Sequence, residues 1–265
     1  MMRFKGKVVF VTGGTRGLGK AVAKAFLDEG ARVAVNGRGV EAVGKFQEEF
    51  KGSEVKAFVA DILDYPSLEA VARDVVAGWG RVDILVNNAG ITGPLASAEK
   101  TGKADFDSVI DVDVKGTFYA SQIFGRQMIA QGAGRIISIS SQVGLFGDKG
   151  FLAYAVSKGA IQIMTRNLAF EWGKFGITTC CLAPGFIAGG MNEGLVRRQR
   201  FVDFLSAKTP AGRMGKVEEL AGTVLFLASE EAQYINGETI VMDGGMTGYD
   251  QESLVDFISK SRQPA

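Results

Sequence analysis

A tyrosine and a lysine stand four residues apart in "YAVSK", Tyr154 and Lys158, at the start of the segment "YAVSKGAIQIMTRNLAFEW". If that segment is helical, positions four apart share a face, and an ammonium can be held beside a phenol. A free phenol loses its proton near pH ~10, too high for a good base at neutral pH. A neighbouring cation favours the phenolate and lowers that value. The pair then becomes an acid/base able to exchange a proton with a substrate oxygen. Taken alone, the same spacing also describes a solvated helix face, so other parts of the chain must decide.

A second pattern lies near the start. The apolar run "KVVFV" leads into "TGGTRGLGK", and Ala21, Val22, Ala25 and Phe26 follow at helical spacing. Gly13, Gly17 and Gly19 thus sit between a strand and a helix. Glycines there let the backbone turn sharply and approach a pyrophosphate, which the helix N-terminus stabilises. The spacing is Gly-x-x-x-Gly-x-Gly, not Gly-x-Gly-x-x-Gly, so on the loop alone a ligand-free turn stays open.

These residues need elements to position them. Strand-like runs ("KVVFVTGG", "ARVAVNG", "EVKAFVAD", "VDILVNNAG", "GRIISISS", "ITTCCLAPG", "ETIVMDGG") alternate with amphipathic stretches. Strand then helix with short connections predicts an α/β chain with a parallel, doubly wound sheet. No linker, repeat or low-complexity tract marks a second domain, so residues 1–265 are expected to form one. A polar and basic excursion, about 189–215, is expected above the sheet as a lid, and 250–265 forms a tail.

The chain has 265 residues, enough for a substantial core, with 46% apolar and 22% charged residues and a net charge of +1. No charge excess points to nucleic acid, and no apolar run is long enough for a bilayer. With no histidine, Ser-His and Cys-His triads are excluded and no metal site is expected. Cys180 and Cys181 are adjacent, which argues against a disulfide framework and for a reduced, cytoplasmic protein.

At this point the sequence resembles the short-chain dehydrogenase/reductase family, in order and over nearly its whole length. "TGGTRGLG" matches the cofactor loop, "NNAG" the motif after the fourth strand, and "PGFI" the motif after the sixth. "DGG" at 243–245 matches the end of the pattern. Tyr154 and Lys158 match the family's Tyr-x-x-x-Lys, and Ser141, thirteen residues before the tyrosine, its catalytic serine. The resemblance implies a three-layer Rossmann fold with a seven-stranded parallel sheet in the order 3-2-1-4-5-6-7. It implies reversible hydride transfer between a nicotinamide and a carbonyl or secondary alcohol, in a homotetramer or homodimer. Tyr154 would be the acid/base, Lys158 would lower its pKa and hold the nicotinamide ribose, and Ser141 would orient the substrate oxygen. The expected cofactor contacts are Gly13, Thr15, Arg16, Gly17, Leu18, Gly19, Asn36, Arg38, Asp61, Ile62, Asn88, Ala89, Gly90, Tyr154, Lys158, Pro184, Gly185 and Ile187.

Members that prefer NAD(H) usually carry an acid at the end of the second strand, where it binds the ribose 2′-hydroxyl. Here Asn36 is neutral, and Arg38 and Arg16 offer two guanidiniums suited to a 2′-phosphate. NADP(H) is expected, with NAD(H) the second choice.

Two positions depart from the family pattern. Asp113, in "IDVDVKGTF", replaces an asparagine whose main-chain carbonyl holds a water that links the lysine to solvent. Were its carboxylate to approach Lys158, it would offset the cation, raise the tyrosine's pKa and slow the activity or shift its pH dependence. Gly189 replaces a threonine after "PGFI", which removes a hydroxyl and is expected to loosen the lid hinge.

The mouth over the nicotinamide is expected to be apolar, from Leu95, Phe146, Phe151, Phe186 and Met191, with some polarity from Thr92 and Gln142. Arg197, Arg198 and Arg200 read as a solvated basic face, and Phe201, Phe204 and Leu205 as lid anchors. Leu254, Val255, Phe257 and Ile258 give the tail an apolar patch. Acyl-carrier ketoreductases and sugar or polyol dehydrogenases both remain open, although Gly132 and Phe175 stand where the former carry basic docking residues. A dinucleotide-binding sensor or scaffold with little turnover is the rival class, motivated by Asp113 and Gly189.

Overall fold

The structure is a computed structural model and describes residues 2–190, 194 and 196–247. Met191 and the tail at 250–265, with its apolar patch, lie outside the described residues.

Seven strands form one parallel sheet. They are β1 (Val8–Val11), β2 (Arg32–Gly37), β3 (Val55–Val59), β4 (Ile84–Asn87), β5 (Gly134–Ile139), β6 (Ile177–Pro184) and, last in chain order, β9 (Thr239–Met242). Their order is β3-β2-β1-β4-β5-β6-β9, as the resemblance implied. The remaining strands, β7 (Ile187–Ala188) and β8 (Gly215–Lys216), form a separate pair that the sequence reading did not foresee.

The central strands are buried on both faces, so they read as unbroken apolar runs. Because side chains alternate along a strand, Val9 and Val11 enter one core and Val8 and Phe10 the other. The first core is completed by Val22 and Phe26 of α1 (Gly17–Asp28), Phe46 of α2 (Val40–Glu49) and Leu220 and Val224 of α9 (Val217–Ala228). The second takes Leu68 and Val75 of α3 (Tyr65–Trp79) and Phe124 and Met128 of α5 (Gly116–Gln131).

The pattern places the loops after all seven strands on one edge. Chain order reverses between β1 and β4, which opens the crevice where α/β sheets bind ligands. Into this edge runs α7 (Leu152–Trp172), which carries Tyr154 and Lys158. Opposite it, α4 (Lys103–Val109) passes into α5 through a π-helical segment, Ile110–Lys115, which holds Asp113. Two short helices complete the edge: α6 (Val143–Phe146) after β5, and α8 (Gln199–Lys208) in the lid.

The segment expected to form a lid carries its own small apolar cluster. Phe201 and Leu205 are buried with Met214 and Met246, and Phe204 packs against them. Arg197, Arg198 and Arg200 are exposed. Among the described residues, no helix is long and apolar enough to cross a membrane.

Candidate active site

The glycine loop is built for close approach. Gly13 and Gly17 have φ of +61° and +55°, the left-handed region that favours glycine. A Cβ on Gly19 would sit 2.6 Å from the Gly13 carbonyl and closer still to the Asn88 amide. α1 begins at this loop with no side-chain cap at Arg16 and no acid in its first turn. Its orphan N–H groups and positive dipole end face the crevice, the arrangement that binds a pyrophosphate. The residues present therefore fit a dinucleotide.

Thr12, which the sequence reading passed over, ties this loop to the next. Its Oγ1 accepts hydrogen bonds from the Asn88 and Ala89 amides at 2.9 and 3.0 Å. Asn88 returns its side-chain amide to the Thr12 carbonyl at 3.0 Å. The one available signal was a hydroxyl residue between an apolar strand and the first glycine.

Several expected contacts turn out to support the scaffold. Asn36 is buried; its Oδ1 accepts from the Gly13 amide and its Nδ2 donates to the Ala60 carbonyl, so both ends of its side chain are tied inside the protein. Ile62 is buried in the second core and packs on Gly116. The exposed Arg16 and Arg38 make no ion pair among the described residues. Thr15 lies against Gly37 and brings the loop that bears Arg16 to the strand end that bears Arg38. Leu18 packs beneath Gly190, so the base of the lid rests on the glycine loop.

Past β6, Pro184 accepts from the Gln142 amide, the Gly185 amide donates to the Met242 carbonyl, and Ile187 pairs with Gly215. Gly189 has φ +146°, and a Cβ there would meet Val217 Cγ2 at 2.8 Å. A threonine does not fit this backbone. The residue before it, Ala188, pairs with Lys216. Gln142 also departs from expectation. It is buried, donates to Met246 Sδ at 3.3 Å and leaves the mouth to Leu95, Phe146, Phe151 and Phe186.

Tyr154, Lys158 and Ser141 come together. Lys158 Nζ lies 5.3 Å from the centre of the Tyr154 ring, and the Ser141 hydroxyl is close enough to stabilise the charged phenol. Asp113 joins them. Its carboxylate, 0% exposed, is 3.1 Å from the ammonium of Lys158, itself 3% exposed. Its Oδ1 accepts from the Ile91 amide at 2.8 Å and its Oδ2 from Ser157 Oγ at 3.1 Å. Lys158 also donates to the Ile139 carbonyl at 3.2 Å. Two of its three N–H bonds are thus committed to the protein. Gly90 closes the cluster, since a Cβ there would lie 3.1 Å from both Asp113 Oδ1 and Lys158 Nζ.

Lys158 does favour the Tyr154 phenolate, but it does not carry the balance. Burial lifts the phenol; Lys158 and Ser141 pull it down; Asp113 pushes it up again, and it ends above its ordinary value. Burial lowers Lys158, but Asp113 and Tyr154 outweigh that and hold it charged to higher pH than a free lysine.

A family model described as enoyl-(acyl carrier protein) reductase matches residues 13–247. Gluconate 5-dehydrogenase of Gluconobacter oxydans (strain 621H) is 37% identical over 250 residues, 93% of this chain and 97% of that protein. A 3-oxoacyl-[acyl-carrier-protein] reductase of Thermotoga maritima is 38% identical over 247 residues, 92% of this chain and 99% of that one. The crystal structure of a gluconate 5-dehydrogenase from Burkholderia cenocepacia J2315 in complex with NADP and tartrate matches with a TM-score of 0.86. It is 34% identical, and the match covers 94% of this chain and 98% of that one. The chain belongs to the short-chain dehydrogenase/reductase family, oxidoreductases that act on carbonyls and alcohols with a nicotinamide dinucleotide.

Proposed function

We propose that this protein is an NADP(H)-dependent carbonyl reductase and alcohol dehydrogenase whose proton is handled by Tyr154. The observation that carries this reading is the convergence of Ser141, Tyr154 and Lys158 beside a glycine loop shaped for a pyrophosphate. A bound reduced nicotinamide supplies hydride to the carbonyl carbon. Tyr154 gives its proton to the carbonyl oxygen as the C=O π pair moves onto that oxygen. Ser141 donates a hydrogen bond to the same oxygen and fixes its position. The Tyr154 phenolate, favoured by Lys158, takes a proton back from solvent. Alcohol oxidation runs the same steps in reverse. The remaining Lys158 N–H is available to a ribose hydroxyl, and Asp61, Asn88, Ala89, Gly90, Pro184, Gly185 and Ile187 line the cofactor's path along the strand ends.

The experiment follows the absorbance of NADPH with a panel of ketones. The panel holds 3-oxoacyl thioesters and keto-sugar acids such as 5-ketogluconate, after the relatives' named substrates. Reduction of at least one class is expected; saturable NADPH binding with no reduction anywhere supports the sensor instead.

For the cofactor, Arg16 and Arg38 support a 2′-phosphate, as does the relative crystallised with NADP. Arg38→Ala is expected to raise the KM for NADPH about tenfold or more, the worth of a charged hydrogen bond, and to leave the KM for NADH unchanged. Equal effects on both cofactors would remove Arg38 from phosphate recognition.

For assembly, exposed apolar side chains on α5 and α7, Phe118, Ile163 and Phe170, offer a face for a second copy of the chain in a homotetramer. Light scattering is expected to give a multiple of the 28.2 kDa chain mass, and a monomer at micromolar concentration would contradict it.

A further inference from the structure

We propose that Asp113 is a positioning residue that clamps the Lys158 ammonium and draws its field away from Tyr154, so that the site is biased toward donating a proton, that is, toward carbonyl reduction. The inference rests on the reading of Tyr154 as the acid/base and assigns the regulation of that same site.

The clamp is made by two elements that are not adjacent in sequence. Asp113 comes from the π-helical segment Ile110–Lys115, and Lys158 from α7. Their charges lie 3.1 Å apart with no measurable exposure at the carboxylate. Both carboxylate oxygens have further donors, the Ile91 amide and the Ser157 hydroxyl, which fix the group in place. The single Ser157 hydroxyl proton is shared between Asp113 Oδ2 and the Tyr154 carbonyl 2.8 Å away, which ties the clamp to the turn of α7 that carries the phenol. A lone ammonium projects a long-range field. An ammonium held against a carboxylate is closer to a dipole, and its effect on a third group falls off faster.

The other titratable group facing this cluster is Cys181 on β6, whose thiol burial pushes up to about 11, so it is neutral over most of the working range. From β5 come only the Ile139 carbonyl, Ser140 and Ser141. From the loop after β4 come Gly90 and the Ile91 amide. Asp113 is thus the negative charge in the cluster, and it opposes Lys158 at Tyr154.

The sign follows. A phenol with raised proton affinity keeps its proton to higher pH. Carbonyl reduction, which needs the phenol, then persists to higher pH, and alcohol oxidation, which needs the phenolate, begins at higher pH. Removing the carboxylate charge while Lys158 keeps its proton, as the amide oxygen of asparagine and the Ile139 carbonyl allow, restores the field of Lys158 and moves both limbs down together.

The test is Asp113→Asn, which keeps shape and an oxygen acceptor. The oxidation limb of kcat/KM against pH is expected to fall by about one unit. The tyrosinate ultraviolet absorbance assigned to Tyr154, by subtracting the Tyr154→Phe spectrum, is expected to fall by the same amount without any substrate. A rate change with both midpoints unmoved would reduce Asp113 to a structural role and overturn the proposal. Should Asp113→Asn not fold, a wild-type Tyr154 midpoint below the ordinary phenol value near ~10 would overturn the proposal, because Lys158 would then prevail over burial and the clamp together. The failures are distinguishable. An unmoved ultraviolet midpoint with intact turnover defeats the clamp alone, whereas a shifted midpoint with no carbonyl reduced on any panel member defeats the enzymatic reading alone.

Discussion

Replacing Tyr154 by phenylalanine is expected to lower carbonyl reduction by about 10²–10⁴-fold, the usual worth of a positioned general acid. NADPH affinity is expected to change little. Tyr154 is buried beside Phe151, with ring centres 6.3 Å apart, so phenylalanine keeps the packing and removes only the hydroxyl. The loss therefore falls on kcat, not on folding. Steady-state kinetics with NADPH fluorescence titration separates the two. A Tyr154→Phe enzyme within threefold of the wild-type kcat would require another group to supply the proton, and among the described residues the other titratable groups in the cluster are Lys158, Asp113 and Cys181.

The second large effect concerns stability. Asp113→Ala removes the carboxylate that holds Lys158 charged in a buried site. Breaking such a pair by deleting one partner costs about 3–5 kcal/mol, because the remaining charge must be buried alone or given up. For a chain of this size that is a fall in Tm of roughly 10 °C, measurable by differential scanning calorimetry. Asp113→Asn is expected to lose less, since an amide oxygen can still accept from the Ile91 amide. A Tm for Asp113→Ala within 2–3 °C of wild type would mean the ion pair adds little, and the clamp would lose its energetic basis. The two substitutions thus separate the pair's contribution to folding from its contribution to the proton balance at Tyr154.

Much of this site was legible in the chain. The sheet order came from the family resemblance, while the placement of Gly13, Gly17, Gly19, Asn88, Ser141, Tyr154 and Lys158 along one edge follows from apolar runs that end in short polar motifs. A parallel sheet has all its C-terminal ends on one side, so motifs at strand ends must meet. Asp113 was visible as a departure, but its destination was not, because side-chain direction on a π-helical segment is not set by the ordinary helical period. Asn36 and Ile62 were assigned by position along β2 and β3; that Asn36 turns inward to Gly13 and Ala60 depends on packing that no local pattern encodes. Gln142 was taken for a mouth residue on its place beside Ser141, yet the contact with Met246 that buries it spans 104 residues of chain. At Gly189 the missing threonine read as a lost hydroxyl, while the structure shows a backbone conformation that excludes threonine there.

The most direct measurement uses NADPH deuterated at both C4 positions and the best ketone of the panel, with the product examined by mass spectrometry and proton NMR. The expected product carries one deuterium on the carbinol carbon with wild-type protein, and the same label forms far more slowly with Tyr154→Phe. Product without deuterium, or equal rates from the two proteins, would contradict hydride transfer in this crevice under proton control by Tyr154.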